Sequence, residues 1–68
     1  MKLSARNVFP GRIVAIKKGV TTANVKIEIA RGAVITSSIT MEAARDLKLK
    51  VGDRAMAIIK SSEVIIGK

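Results

Sequence analysis

The stretch Asn24-Val25-Lys26-Ile27-Glu28-Ile29-Ala30 decides the fold class, because apolar and polar residues alternate along it without interruption. A period of two is typical of a strand with one buried face, whereas a helix repeats every three to four residues. The predicted inner face consists of Val25, Ile27 and Ile29. Lys26 and Glu28 lie on the opposite face. The stretch therefore predicts a half-buried β-strand.

Two further strands are predicted on either side of this one. Arg12–Lys17 is rich in β-branched residues and stands between Pro10-Gly11 and a turn at Lys17-Lys18-Gly19. After a turn at Arg31-Gly32, Ala33–Ile39 forms the third strand, which would pair with the second strand as a hairpin.

One short helix and two more strands are predicted in the second half of the chain. Thr40 is suited to be the N-cap of a helix from Met41 to Leu47, in which Ala43 and Leu47 share a face. After a Gly52-Asp53 turn, the apolar run in Arg54–Lys60 predicts a strand buried on both faces, and Glu63–Ile66 predicts a short last strand. Five strands with a helix after the third predict an all-β, OB-like small Greek-key barrel.

Length and composition restrict how this fold is stabilised. The 68 residues predict one small domain spanning residues 1–68, near the size at which a single core is only marginally stable. The chain has no cysteine and no histidine, which excludes disulfides and a credible zinc site. A hydrophobic fraction of 49% with a single aromatic, Phe9, therefore favours oligomerisation.

The chain carries no predicted membrane or export segment. Its longest apolar run, Ala55–Ile59, is far shorter than the roughly 20 residues that a membrane-spanning helix needs. No extended apolar region follows Met1-Lys2-Leu3-Ser4, because Arg6 and Pro10 interrupt it. We therefore expect a cytoplasmic protein.

Hydrogen-bond donors without acids are concentrated near both ends of the chain. Ser4 and Arg6 lie in the segment Met1–Asn7, and Lys60 and Ser61 follow the predicted fourth strand. With a formal charge of +8, the chain is expected to bind an anion. Each residue alone would most often be a solvated surface group, but the conjunction suggests one split site for a fully ionised oxyanion. Hydrogen phosphate would be disfavoured, because its O–H would lack an acceptor.

Several motifs together resemble the molbindins, the small molybdate-binding proteins of the Mop family. They are Ser4-Ala5-Arg6-Asn7, Gly11 with Ile13, Val14 and Ile16, Gly19-Val20, Ser38-Ile39-Thr40, Gly52 and Ile59-Lys60-Ser61. The resemblance covers essentially the whole chain. It implies a TOBE-type OB barrel that exchanges strands in a dimer and assembles as a homohexamer, a trimer of dimers, with oxyanions held between subunits.

The resemblance also implies which residues bind the ligand. The expected side-chain donors to molybdate are Ser4, Arg6, Thr40 and Lys60, with Ser61 as a further donor. Ala5 lies within the same motif, and Gly19 and Val20 are expected to offer backbone N–H groups. Tungstate is a second expected ligand, and a further class of site near the threefold axis is implied without assigned residues.

The resemblance favours a freestanding storage or buffering role in molybdenum homeostasis, because the chain lacks the helix-turn-helix of the related regulators and the ATPase of the related transporters. The main alternative is an OB-like nucleic-acid-binding module that uses phosphate contacts, although one aromatic cannot provide stacking platforms for bases. An enzyme is not expected, because the five acids have no histidine, cysteine or metal motif to work with. A purely structural oligomer would leave the paired donor clusters unexplained.

Overall fold

The computed structural model describes residues 2–68, so Met1, the first residue of the N-terminal segment, lies outside it. The regular elements are β1 (Asn7–Lys18), β2 (Thr22–Ala30), β3 (Ala33–Thr40), α1 (Met41–Asp46) and β4 (Arg54–Ile59), followed by a 3₁₀ turn (Ser61–Glu63). The strands form one antiparallel sheet in the order β3-β2-β1-β4. The predicted mostly-β fold with one short helix is confirmed.

The long strand β1 joins the two parts of the sheet. Its first half pairs with β4, from Asn7 opposite Ile59 to Arg12 opposite Arg54. Its second half pairs with β2, and the register shifts between Ile13 and Ala15. The strand is twice as long as the predicted Arg12–Lys17, because Lys18 and the residues before Arg12 also find a partner strand.

The alternation predicted for β2 is confirmed. Val25 and Ile27 are buried and pack with Ile13 of β1 and Ala57 of β4 in the core of the sheet. The predicted β2–β3 hairpin is present as well, and Gly32 in its turn has a φ of +78° that only glycine adopts without strain. At the other hairpin the turn begins two residues later than predicted, at Gly19, because β1 continues through Lys18.

The helix begins as predicted and ends one residue earlier. The Thr40 hydroxyl oxygen accepts a hydrogen bond of 3.0 Å from the Ala43 N–H, which confirms the N-cap. Ala44 is the buried residue of the helix, whereas Leu47 is 66% exposed and is not part of the predicted apolar face. The helix ends in a Schellman motif, in which Leu49 N–H donates to the Ala44 oxygen and Lys48 N–H to the Arg45 oxygen.

Two predictions for the C-terminal part of the chain are wrong. β4 is not buried on both faces, because nothing in residues 2–68 covers its outer side, where Met56 and Ile58 are 47% and 43% exposed. The predicted last strand does not form, so the described residues contain four strands rather than five. Glu63 belongs to the 3₁₀ turn, and Ile65 is 92% exposed. A strand requires a hydrogen-bonded neighbour, and the segment after the 3₁₀ turn pairs with no strand of the described residues.

Candidate functional site

The pairing of β1 with β4 brings the two predicted donor clusters to the same end of the sheet. Asn7 lies opposite Ile59 as the last pair of this ladder, and Asn7 Nδ2 donates to the Ile59 backbone oxygen at 3.1 Å. Arg6 directly precedes Asn7, and Lys60 directly follows Ile59. The guanidinium and the ammonium therefore extend from neighbouring chain segments at one edge.

The remaining residues of these clusters lie just beyond this pair. Ser4 and Arg6 are exposed, and Ala5 between them is partly buried. Lys60 is extended, with φ of −65° and ψ of 138°, and Ser61 begins the 3₁₀ turn. Such exposed groups are free to reorient toward an anion. Glu63 shares the 3₁₀ turn with Ser61. The turn rises about 2.0 Å per residue against about 3.3 Å in a strand, so this acid lies closer in space to Ser61 than it would in a strand.

A second group of predicted site residues, Gly19, Val20 and Thr40, lies together at the opposite end of β1. Thr40 pairs with Thr22 at the end of the β2–β3 ladder. The loop between β1 and β2 is tied to the helix start, because Met41 N–H donates to the Thr21 oxygen at 2.9 Å. The loop and the N-cap therefore form one surface.

The backbone roles expected for Gly19 and Val20 differ in the structure. The Gly19 N–H donates to the Thr22 oxygen at 2.8 Å, so the hairpin turn already uses it. A Cβ on Gly19 would lie 2.8 Å from the same oxygen, which explains why glycine occupies the position. Val20 is 93% exposed and is the better placed of the two to meet a ligand.

The N-cap contact of Thr40 does not conflict with the ligand role expected for this residue. Its hydroxyl oxygen accepts from Ala43 N–H, which leaves the hydroxyl hydrogen available to donate. An anion accepts only, so it would take that hydrogen while the N-cap stays intact. The cap also fixes the direction of the hydroxyl.

The two groups lie at opposite ends of β1. β1 has 12 residues, and at about 3.3 Å per residue they span roughly 36 Å along the strand. The bulge near Ala15 bends this path, and the longest extent of the chain is 34 Å. Arg6 and Lys60 lie next to one end of this strand, and Thr40 lies near its other end.

The surroundings of both groups limit the chemistry that they can perform. Within residues 2–68 no three histidine, cysteine, aspartate or glutamate side chains are grouped so that they could hold a metal ion. In the same range no helix is long and apolar enough to cross a membrane. The arrangement offers hydrogen-bond donors and positive charge, which is the chemistry of anion binding.

Asn7 is the residue beside both donor clusters for which the sequence predicts no role. Its side chain links the two chain segments that carry Arg6 and Lys60. The signal in the sequence is an amide side chain at the start of a strand, directly after a donor cluster. Its partner could not be identified, because Ile59 is 52 positions away in the sequence.

Comparisons with known proteins identify the family of this chain. The family model described as TOBE domain matches residues 3–66. Molybdenum-pterin-binding protein 3 of Clostridium pasteurianum is 47% identical over 66 residues, which cover 97% of each chain. The structure of MopII from Clostridium pasteurianum superposes with a TM-score of 0.91 at 43% identity, covering 98% of this chain and all of that one.

A ligand-bound structure is also similar. The cytoplasmic molybdate-binding protein ModG, solved with molybdate bound, gives a TM-score of 0.91 at 43% identity. The match covers 96% of this chain and 46% of ModG. On the family match and the identity to full-length relatives, the chain belongs to the TOBE domain family.

Proposed function

We propose that this chain binds molybdate, with tungstate as a second ligand, at a site built from hydrogen-bond donors. The observation that carries the proposal is the β1–β4 pairing, which brings Arg6 and Lys60 to one end of the sheet. The similarity to ModG with molybdate bound supports the identity of the ion. Ser4 and Ser61 add hydroxyl donors next to the two cations.

The donor set also accounts for selectivity against phosphate. Molybdate is a tetrahedral dianion that presents only acceptor oxygens at neutral pH, so guanidinium, ammonium, hydroxyl and backbone N–H groups all suit it. Hydrogen phosphate carries one O–H, which would lose its partner at a cost of about 1–3 kcal/mol in a site without acceptors. Sulfate presents no such proton, so the size of the closed site must distinguish it.

The site is completed by a second chain. Arg6 and Lys60 lie at one end of β1 and Thr40 and Val20 at the other, so one chain offers two half-sites that face different neighbours. A homohexamer built as a trimer of dimers would join each half-site to the complementary half of another subunit. Binding would then require assembly.

Features of the isolated chain are consistent with strand exchange between two subunits. The segment Val64–Ile66 is apolar, exposed and outside any strand. A cleft of about 310 Å³ separates β3 from β4, and Ile35 and Ile58 are among its lining residues. An apolar strand from a second chain would gain hydrogen bonds and burial there, so Val64–Ile66 would form in the dimer the strand that it lacks in the single chain.

The charge of the assembly connects ion binding to stability. Six copies of a +8 chain would carry a formal charge of +48. Bound dianions would reduce the repulsion between subunits and stabilise the assembled form by ligand linkage. Such a protein takes up the ion when it is abundant and releases it when it is scarce. We assign it a storage or buffering role in the cytoplasm, the compartment named for ModG.

The relatives are binding proteins, and we assign no catalytic role to this chain. Its acids lack the histidine or cysteine partners that general acid–base or nucleophilic catalysis uses. The ion would leave the site unchanged.

Native mass spectrometry during titration with molybdate, and in parallel with sulfate, tests the proposal, because it reports subunit number and bound ions together. We expect a hexamer that gains several molybdate ions and gains none at equal sulfate. A monomer that binds neither ion would contradict the proposal. Binding of duplex DNA with steep salt dependence would then favour the nucleic-acid alternative.

A further inference from the structure

An open groove of about 460 Å³ lies on the outer face of the sheet, where β1, β2 and β4 run side by side. Its charged lining is a single row across three strands, in which Arg12 pairs with Glu28 of β2 on one side and with Arg54 of β4 on the other. Pro10 and Met56 form the next outward-facing pair and also line the groove. None of these residues belongs to the proposed molybdate site.

The row contains one repulsive and one attractive pair of charges. Two arginines directly opposite each other on antiparallel strands repel, whereas an opposite pair such as Arg12 and Glu28 attracts. An anion between Arg12 and Arg54 would remove the repulsion, and two guanidinium groups suit phosphate because each presents a planar fork of N–H donors. The Glu28 carboxylate would hold the Arg12 guanidinium from its other side.

Two register shifts between paired strands lie next to this row of charged residues. The β1–β2 register shifts just after Arg12, between Ile13 and Ala15, and the β2–β3 register shifts just after Glu28. Bulges of this kind turn side chains to new directions and occur often beside functional sites. A Cβ on Gly11 would lie 2.5 Å from the Glu28 backbone oxygen, so β1 and β2 approach closely only because of that glycine.

The apolar pair sets the size of the ligand. Pro10 and Met56 lie two residues along their strands from the arginines, a distance of roughly 7 Å. A planar ring on this pair would therefore stand about one sugar unit away from a phosphate on the arginines. Methionine sulfur makes favourable contacts with aromatic rings. The volume lies within the range of about 300–1,000 Å³ found for small-molecule sites and far exceeds that of a tetrahedral oxyanion.

We propose that the groove binds an organic phosphate of mononucleotide size. The phosphate lies between Arg12 and Arg54, and the ring lies against Pro10 and Met56. Glu28 is a positioning residue that orients Arg12. The site is separate from the molybdate site, so either can be occupied without the other.

Calorimetry on the assembled full-length protein tests the ligand class, with guanosine 5′-monophosphate as the probe. We expect the nucleotide to bind at least about tenfold more tightly than inorganic phosphate or guanosine, because only the nucleotide engages both the arginines and the apolar pair. Equal binding of inorganic phosphate would overturn the proposal in favour of a simple oxyanion site. Affinity that rises steadily with the length of a single-stranded oligonucleotide would overturn it in favour of nucleic acid.

Substitutions test whether the nucleotide binds in this groove. Arg54→Ala should weaken nucleotide binding at least about tenfold, and Arg54→Lys should weaken it less, because the charge remains while the fork is lost. Lys26→Ala removes the same charge from an exposed position of β2 outside the groove and should change affinity less than about twofold. Equal losses in Arg54→Ala and Lys26→Ala would identify general attraction to a basic protein and refute the site.

Discussion

The side chain of Asn7 donates a hydrogen bond of 3.1 Å to the backbone oxygen of Ile59, 52 positions later in the chain. Asn7 and Ile59 form the last pair of the β1–β4 ladder. Arg6 directly precedes Asn7 and Lys60 directly follows Ile59, so the contact lies beside both donor clusters. It makes Asn7 the residue that holds Arg6 and Lys60 in register, although Asn7 itself need not contact an ion.

Replacing Asn7 by alanine should therefore lower both stability and molybdate affinity. Loss of this partly buried hydrogen bond is expected to cost about 0.5–1.5 kcal/mol of unfolding free energy. Urea unfolding at fixed protein concentration and calorimetry measure the two effects. Asn24→Ala, at an exposed position of β2, is the matched control. Similar losses in both variants would show that the Asn7 contact has no special role.

Arg6→Ala should abolish tight molybdate binding, because it removes a planar, bidentate donor. Lys60→Ala removes a point charge and should weaken binding less. Lys26→Ala, which takes one charge from an exposed position on β2, controls for net charge. Calorimetry with molybdate compares the three. Wild-type affinity in both Arg6→Ala and Lys60→Ala would contradict the assignment of the site.

Substitutions at Thr40 can separate its capping role from its ligand role. Thr40→Ala should cost about 1 kcal/mol of stability, because the Ala43 N–H loses its acceptor. Thr40→Asp keeps the cap but places a carboxylate where the anion would bind, so it should fold normally and bind molybdate poorly. Thermal unfolding and calorimetry distinguish these results. Unchanged molybdate affinity in Thr40→Asp would exclude Thr40 from the site.

Gly11→Ala should destabilise the fold by about 1–3 kcal/mol, as overpacking does in a close-packed region. The added Cβ would lie 2.5 Å from the Glu28 oxygen and 2.8 Å from Ile27 Cγ2, so β1 and β2 would have to separate. Gly67→Ala is the control, because no atom lies within 4 Å of its added Cβ. Denaturant unfolding measures the free energy of unfolding of both variants. Equal stability of the two would show that β1 and β2 can separate without loss of stability.

Lys48→Gly should stabilise the protein by about 0.5–1 kcal/mol. Lys48 has a φ of 52° at the end of the helix, a left-handed conformation that glycine adopts without the penalty paid by a side chain. Part of the gain is offset, because glycine loses more backbone entropy on folding. Lys50→Gly removes the same charge at a position without positive φ and should not stabilise. Thermal unfolding at fixed protein concentration compares them.

Features that depend on near neighbours could be predicted from the sequence. Alternation over Val25 and Ile27 predicts a buried face, and the hydroxyl of Thr40 before an apolar helix start predicts a cap, because both signals extend over only a few residues. The kind of ligand chemistry was also predictable, since donors without acids suit an anion wherever they lie in the fold.

Contacts between distant residues follow from the folded structure and could not be predicted from local patterns. The pairing of β1 with both β2 and β4 lengthened the first strand, brought Arg6 to the same sheet end as Lys60 and placed Thr40 at the far end. Strand pairing depends on partners many residues away, which no local pattern specifies. The same reason explains the missing last strand: Val64–Ile66 has strand-like residues, but a strand exists only beside a partner edge, and the single chain does not bring one to it.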